Sequence, residues 1–404
     1  MLSMHTSPLA PLGGSKAGGM NFYVREVASQ LATTGRRVDV FTRRDDPSRP
    51  AVIEFAPGAR LVTIDAGPPT PLESVQLFEQ VDSFVRGVAA FAEAQTKPYE
   101  LLHSHYWLSV AAGEALAARW RVPHLAMFHT LAEVKLRARA SEREPQQRID
   151  AERRLVHTVD GVLVATSHER QLLRQIYRLP SERVSIVPLG VDLEQFQPRD
   201  ATVARAQLGL DPDARVLLAV GRMEPLKGFD ILILALAQTT MPQSPTLLIV
   251  GGDQQAAAEF DRLRAVAAEV GVVEQVRFVG AVPHEQLASY YNAAEVVVVP
   301  SFYESFGLVA LEAMASGVPV VASRVGGLTA TIADGRSGYL IPWRCPEPFA
   351  EKIDLLLRNE GLRRALGEAA RRSMEAYAWD RVASELGAVY EAAGAPPSAV
   401  AAGG

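Results

Sequence analysis

EVVVVPSFYESFGLVALEAMASGVPVVAS, residues 295–323, is the stretch on which the fold turns. It opens with an unbroken β-branched run, passes through a short polar loop into an apolar helix-length segment closed by Gly317 and Pro319, and ends in a second apolar run. A run apolar at every position must be buried on both faces, as a strand inside a parallel sheet is, and a helix between two such strands is the β-α-β crossover. The alternation repeats in both directions. On the amino side the strand candidates are RVDVFT (37–42), LLHSHY (101–106), HLAMFHT (124–130), GVLVATS (161–167) and VSIVPLG (184–190). Nearer to the opening stretch lie RVLLAVG (215–221), TLLIVGG (246–252) and VRFVGAV (276–282), and the stretch itself supplies 295–301 and 319–323. The pattern reads as α/β, with two doubly wound, Rossmann-like parallel sheets.

A chain of 404 residues accommodates two cores. VDLEQFQPRD (191–200) leaves the last strand of the first set and leads through a Pro-containing loop to the next. The expected division is therefore 1–195, 196–376, a last amphipathic helix over 377–395 packing back on the first domain, and a tail over 396–404. Met1–His5 reads as the tail of a strand running into a loop. Ligands in such sheets sit beyond the carboxyl ends of the strands, so a central cleft faced by both domains is the expected site.

Composition excludes several classes. A net charge of -5 offers no footprint for nucleic acid. Cys345 is the single cysteine, which rules out an intramolecular disulfide and a cysteine-rich zinc site. No window reaches the ~20 apolar residues of a membrane span, and no basic leader precedes an apolar stretch, so the expected compartment is cytoplasmic. Peripheral membrane contact and oligomeric state stay open.

Three stretches carry chemistry. In the opening one, Glu304 and Glu312 lie eight residues apart, a little over two helical turns, and so project to one side. The start of the helix between them offers backbone N–H groups to sugar or phosphate oxygens, and Gly307 permits close approach. Glu312 sits among Leu308, Val309, Leu311, Ala313 and Met314, where an uncompensated carboxylate is costly. The second stretch, VGRMEPLKGFD (220–230), places Arg222 and Lys227 in the loop after a strand, where a cationic fork and a point charge can stabilise a departing diphosphate. The third, HTSPLAPLGGSKAGGMNFYVREVASQLATTG (5–35), is a Gly-bearing loop that opens a helix with Gly18, Gly19 and Asn21 at its start and Gly35 as its stop. Its spacing is not that of a dinucleotide fingerprint.

The E-x7-E spacing, the S-F-G-L turn and the E-A-M-A-x-G-x-P helix end resemble the signature of the retaining GT-B glycosyltransferases, of the family 4, group 1 type. The G-R-x-x-x-x-K-G pattern resembles that family's diphosphate clamp. The G-G-M-N loop, LLHSHYWLSV (101–110) and PHLAMFHTLAEVK (123–135) narrow the resemblance to the subgroup of the sucrose-phosphate synthases and the mycothiol-pathway transferase that places N-acetylglucosamine on inositol phosphate. The resemblance implies a hexose donor (glucose, N-acetylglucosamine or mannose) on a nucleoside diphosphate, UDP above all, and a small-molecule or lipid-linked hydroxyl acceptor. It implies retention at the anomeric carbon and no metal or other cofactor. Glu304 would contact the donor sugar and Glu312 the ribose. Phe306, Gly307 and Leu308 would line the donor, and Arg222, Lys227, Gly18 and Gly19 would meet the diphosphate. His129 would stand beside the donor sugar, while Asn21, Tyr106 and Thr130 would meet the acceptor. His5, His103 and His105 read as structural.

Two positions depart from the inositol-phosphate enzymes. Ser74 falls where a Lys is expected after the Ala66-Gly67-Pro68 turn, and Gln147-Arg148 retains only the second member of an Arg pair. A charge-assisted hydrogen bond to a phosphate is worth about 1.5–3 kcal/mol, and the absence of two such donors argues against inositol phosphate as acceptor. Lys135, Arg137, Arg139 and Arg143 offer an anionic acceptor another geometry, but their acidic neighbours Glu133, Glu142 and Glu144 make a solvated charged helix the first reading. Two rival readings are a sugar-nucleotide 2-epimerase of the same design and a non-catalytic sugar-binding protein.

Overall fold

The computed structural model describes residues 1–10, 19–138, 143–252, 256–342 and 345–395. They form two units, one made of 1–10, 19–188 and 379–395, the other of Leu189–Ala378.

The first unit holds β1 (Val38–Arg43), β2 (Val52–Ala56), β3 (Ala59–Ile64), β4 (Leu102–His105), β5 (His124–Met127), β6 (Gly161–Val164) and β7 (Val184–Ile186). They hydrogen-bond in the orders β2-β3-β1 and β4-β5-β6-β7. Leu2 joins the two sets, bridging in parallel to Phe41 of β1 and Ser104 of β4. Its N–H donates to His103 O at 2.9 Å and its carbonyl accepts from His105 N at 2.9 Å. The opening residues thus act as a minimal central strand. All strand neighbours here are parallel except β2 and β3, a hairpin turned at Pro57-Gly58 with Gly58 at φ +81°.

The helix Gly19–Thr33 buries Phe22, Tyr23, Val24, Val27 and Leu31. The helix Trp379–Ala392 buries Trp379, Val382, Ala383, Leu386 and Tyr390, a three-and-four spacing that makes one apolar stripe. The stripes meet where Trp379 lies 5.9 Å from the Phe22 ring and 6.1 Å from that of Tyr23.

The second unit holds β8 (Val216–Val220), β9 (Thr246–Val250), β10 (Val276–Gly280), β11 (Val296–Val299), β12 (Val320–Ser323) and β13 (Gly338–Ile341), all parallel, in the order β10-β9-β8-β11-β12-β13. Val296–Val299 is buried throughout, as its sequence requires. Strand order reverses between β8 and β11, the switch point at which crevices open beyond the carboxyl ends of such sheets.

Each strand read from the sequence has a counterpart: β1 keeps its length and is shifted by one residue, and the others are one to four residues shorter. Three strands lie outside that reading: β2, β3 and the edge strand β13. The second unit begins at Leu189 rather than at 196 and ends at Ala378. Val191 bridges in parallel to Ala378 and donates to Tyr377 O at 2.8 Å, and Phe196 is fully buried against His284 and Tyr291, so residues 189–196 pack within the second unit. No helix among the described residues is long and apolar enough to cross a membrane.

Candidate functional site

In the second unit the loops after β8 and β11 meet. Phe302 N–H donates to Leu226 O at 2.8 Å. Gly228 sits at φ +67° with space for no side chain, since a Cβ there would stand 2.2 Å from Pro300 O. This contact brings the turn Pro225–Lys227 against residues 300–304. Lys227 Nζ lies 2.7 Å from Glu304 Oε2, with each side chain 18% exposed. Arg222 pairs with Glu224 at 2.9 Å and is 47% exposed, so its guanidinium can turn to another anion at small cost.

A diglycine that the sequence reading did not single out supports Glu304 from the β12 side. Gly327 N–H donates to Glu304 O at 3.0 Å, and a Cβ on Gly326, at φ +48°, would stand 1.9 Å from the same oxygen. Gly307, at φ +94°, then starts the helix Leu308–Ala315. Ala310 and Leu311 donate to Gly307 O at 2.9 and 3.2 Å, which leaves the Leu308 and Val309 amides ahead of the first helical bond. The Phe306 ring is buried and faces Tyr377 at 6.1 Å, so the backbone is what this residue can offer a ligand.

Glu312 has partners of its own. It is 5% exposed, and both its oxygens are engaged: Tyr291 OH donates to Oε2 at 2.6 Å, and His284 Nε2 lies 2.7 Å from Oε1. Burial first, and then the facing Glu312, push the Tyr291 phenol well above its ordinary range, so it remains a donor. Gln195 Nε2 donates to His284 O at 3.0 Å. The compensation that a buried Glu312 demands is thus present. It comes from His284 and Tyr291, which lie 28 and 21 positions back along the chain and carry no local signal.

In the first unit, His129 follows β5 with φ +60°, at the centre of a three-residue turn closed by Thr130 N–H to Phe128 O at 2.7 Å. Its Nε2 lies 3.0 Å from His105 Nδ1. Burial pushes the His129 pKa down to about 3 and takes those of His103 and His105 well below their ordinary value, so the three imidazoles are neutral at pH 7. His103 Nδ1 lies 2.7 Å from Tyr390 OH. His103 and His105 are buried and the His129 ring, half-buried, rests beside them.

Tyr106, at φ +73°, caps the helix Trp107–Trp120, and its ring lies 4.2 Å from that of His5. Arg148, 3% exposed, stands 4.9 Å over the same ring. Arg148 donates from Nε to Glu152 Oε1 at 2.6 Å, from one terminal nitrogen to Glu144 Oε2 at 2.8 Å, and from the other to Thr130 O at 2.8 Å and Oγ1 at 3.1 Å. This guanidinium therefore supports Thr130 and Tyr106 from within. Lys135 is held by Glu144 at 2.6 Å.

Asn21 is 2% exposed and its Nδ2 donates to Thr6 Oγ1 at 2.7 Å and Ser7 O at 2.6 Å, tying the helix start to the opening loop. Gly19 is the exposed first residue of that helix, while Gly18 lies outside the described residues. Ser74 begins the helix Ser74–Glu79, and Gln147 is half-buried with its Oε1 unpartnered. Cys345 is exposed and unpaired. Among the described residues no group of three or more His, Cys, Asp or Glu side chains is placed to hold a metal ion.

Comparison with known proteins matches residues 200–373 to the model for glycosyl transferases group 1 and residues 17–195 to that for glycosyltransferase family 4. The chain is 41% identical over 401 residues to a D-inositol 3-phosphate glycosyltransferase of Streptomyces bingchenggensis, covering 96% of this chain and 88% of the relative. It is 42% identical over 403 residues to the enzyme of the same name from Geodermatophilus obscurus, covering 97% and 88%. Among solved structures, sucrose-phosphate synthase from Thermosynechococcus elongatus superposes with a TM-score of 0.90 at 38% identity over 97% of both chains. Anabaena HepE, solved with UDP and glucose, superposes at 0.78 with 20% identity over 97% of this chain and 98% of its own, a likeness of fold.

Proposed function

Since this chain belongs to the glycosyltransferases of group 1 and family 4 and is itself a glycosyltransferase, we propose that it moves a hexose from a nucleoside diphosphate, UDP first among them, to a hydroxyl acceptor with retention at the anomeric carbon. The observation that carries this reading is the pairing of Lys227 with Glu304 at the reversal of strand order between β8 and β11. A cation and a carboxylate held 2.7 Å apart are the groups needed to meet a diphosphate and the sugar attached to it. Arg222, from the same loop, adds a planar fork for the second phosphate. The Leu308 and Val309 amides offer further donors at a helix start.

In the proposed reaction the bond from the anomeric carbon to the diphosphate oxygen breaks, and the acceptor oxygen bonds to that carbon on the same face. The acceptor's proton passes to the departing diphosphate. Lys227 and Arg222 stabilise the charge that develops on the leaving group, so this reading calls for no metal. Glu304 orients the sugar hydroxyls and Glu312 the ribose. The reading assigns His129 of the first unit to the donor sugar, and Tyr106 and Thr130 to the acceptor.

The Streptomyces and Geodermatophilus relatives act on inositol 3-phosphate by name, whereas Ser74 and Gln147 supply no charge here, and Arg148 is already engaged by Glu144, Glu152 and Thr130. An acceptor without that phosphate is the reading these residues favour. The experiment is to measure nucleoside diphosphate release from UDP-, GDP- and ADP-hexoses with inositol, inositol 3-phosphate and other polyols. Release that rises with an acceptor, together with a new glycoside of retained configuration, supports the proposal. Release or interconversion of the donor without an acceptor would instead favour an epimerase, and binding without turnover a sugar-binding protein.

A further inference from the structure

The ring of His129 is held as firmly as its backbone. Alternation along β4 puts His103 and His105 on one face, with ring centroids 4.1 Å apart, and the His105 and His129 centroids are 5.2 Å apart. Tyr23 stands edge-on to both His105 and His129, at 5.9 and 5.5 Å, and packs against one side of each ring. The backbone at φ +60° is uncommon for a residue with a side chain and is sustained by the turn across it.

One proton lies between His105 Nδ1 and His129 Nε2, which are 3.0 Å apart. Its owner follows from the other end of His105. That residue is fully buried, and its Nε2 has no partner. If Nε2 carried the proton, a buried N–H would be orphaned, which is the rarer failing in native interiors; a buried lone pair is tolerated more readily. His105 therefore keeps its proton on Nδ1 and donates it. A neutral His129 that accepts at Nε2 must carry its own proton on Nδ1, a nitrogen with no hydrogen-bond partner among the described residues.

We propose that His105 is the positioning residue of His129: by donating Nδ1–H to His129 Nε2, it fixes the Nδ1–H tautomer and leaves that N–H as the one ring donor offered to a substrate oxygen. The proposal rests on the reading of His129 as a residue beside the reacting sugar. It explains why a histidine follows β5 at a strained position and why a second one lies beneath it. A lone imidazole would rotate and exchange tautomers, presenting a donor in one state and an acceptor in the other. With His105 below and Tyr23 alongside, the donor state persists before substrate arrives.

The first test needs no variant. The full chain labelled with 15N-histidine is expected to show, at pH 7.5, a His129 signal protonated on Nδ1 with an accepting Nε2. A His129 protonated on Nε2 would overturn the proposal. The second is a cycle of His105→Leu and His105→Asn, each alone and combined with His129→Ala, with a melting curve for every variant. His105→Leu is expected to lower kcat about tenfold and leave the donor KM within about twofold. His105→Asn, which keeps an amide near the place of Nδ1, recovers most of the loss. Neither costs more in the His129→Ala background, and losses that multiply there would overturn the proposal. A His129→Ala variant of normal turnover would overturn the reading of His129 itself and the proposal with it, a failure distinguishable because the single variant alone reveals it.

Discussion

Lys227 and Glu304 neutralise each other at 2.7 Å in the second unit, and each has a further task in the proposed reaction. A partly exposed ion pair of this kind contributes at most about 1 kcal/mol to stability, whereas a cation placed on a departing diphosphate lowers the barrier by several times that. Lys227→Ala is therefore expected to reduce kcat by about 10²–10³-fold and to move Tm by no more than about 4 °C. Near-normal turnover in that variant would remove Lys227 from the clamp. Both residues were legible because an E-x7-E spacing and a G-R-x-x-x-x-K-G loop are local patterns. Glu312 was legible as a residue in need of partners, but not the partners themselves. His284 and Tyr291 reach it only because the segment that carries them packs beside the helix Leu308–Ala315. Asn21 shows the reverse: a motif residue at a helix start turns out to tie that start to Thr6 and Ser7.

The loops that place these side chains depend on glycines where another chain segment passes at van der Waals distance. Gly326, at φ +48°, abuts Glu304 O, and Gly335, at φ +73°, has open space around it. Alanine at Gly335 should cost only the left-handed backbone penalty of about 1–2 kcal/mol. At Gly326 the same change adds a steric clash, so it is expected to cost at least about 2 kcal/mol more and to displace Glu304, lowering kcat as well. Denaturant titration and initial rates of the two variants check this, and equal effects would show that the diglycine does not position Glu304. Among the strands, those with continuous β-branched runs were readable, since burial on both faces forces such composition. Strand β2 is half-exposed, whereas β3 and β13 are mostly buried but interrupted in composition by Arg60, Thr63 and Gly338, so pairing rather than an unbroken apolar run defines them.

Across the whole molecule the histidines are unevenly shared: seven of the eight precede Leu189 and belong to the first unit. Burial lowers His129 to about 3 and His124 to about 4, and lowers His103 and His105 well below their ordinary value. A histidine depressed in this way is neutral when folded and takes up a proton on unfolding, so its contribution is complete above about pH 6.5 and is lost as pH falls toward the native value. Glu169 acts in the opposite sense over part of the window, because burial raises its carboxyl to about 7 and the native state then holds the extra proton. His168 and the Met1 amino group, the latter lowered to about 6 by burial, act with these imidazoles, and Glu152, raised by burial, acts with Glu169, so unfolding of the first unit takes up protons on balance as pH falls. Calorimetry between pH 7.5 and 5 is expected to show the first unit's transition falling faster than the second's, and equal falls would show that the histidines are not buried in solution. What the sequence determined by itself were the features that local chemistry dictates: parallel strands from uniformly apolar runs, helix starts and stops from glycine and proline, and cationic and acidic loops at strand ends. What only the tertiary structure decided were the partners of buried polar groups, His105 for His129, Arg148 for Thr130, and His284 and Tyr291 for Glu312. The reason is physical: a buried charge or ring nitrogen demands a partner whose position depends on which elements pack against it, and that is decided only when the chain has folded.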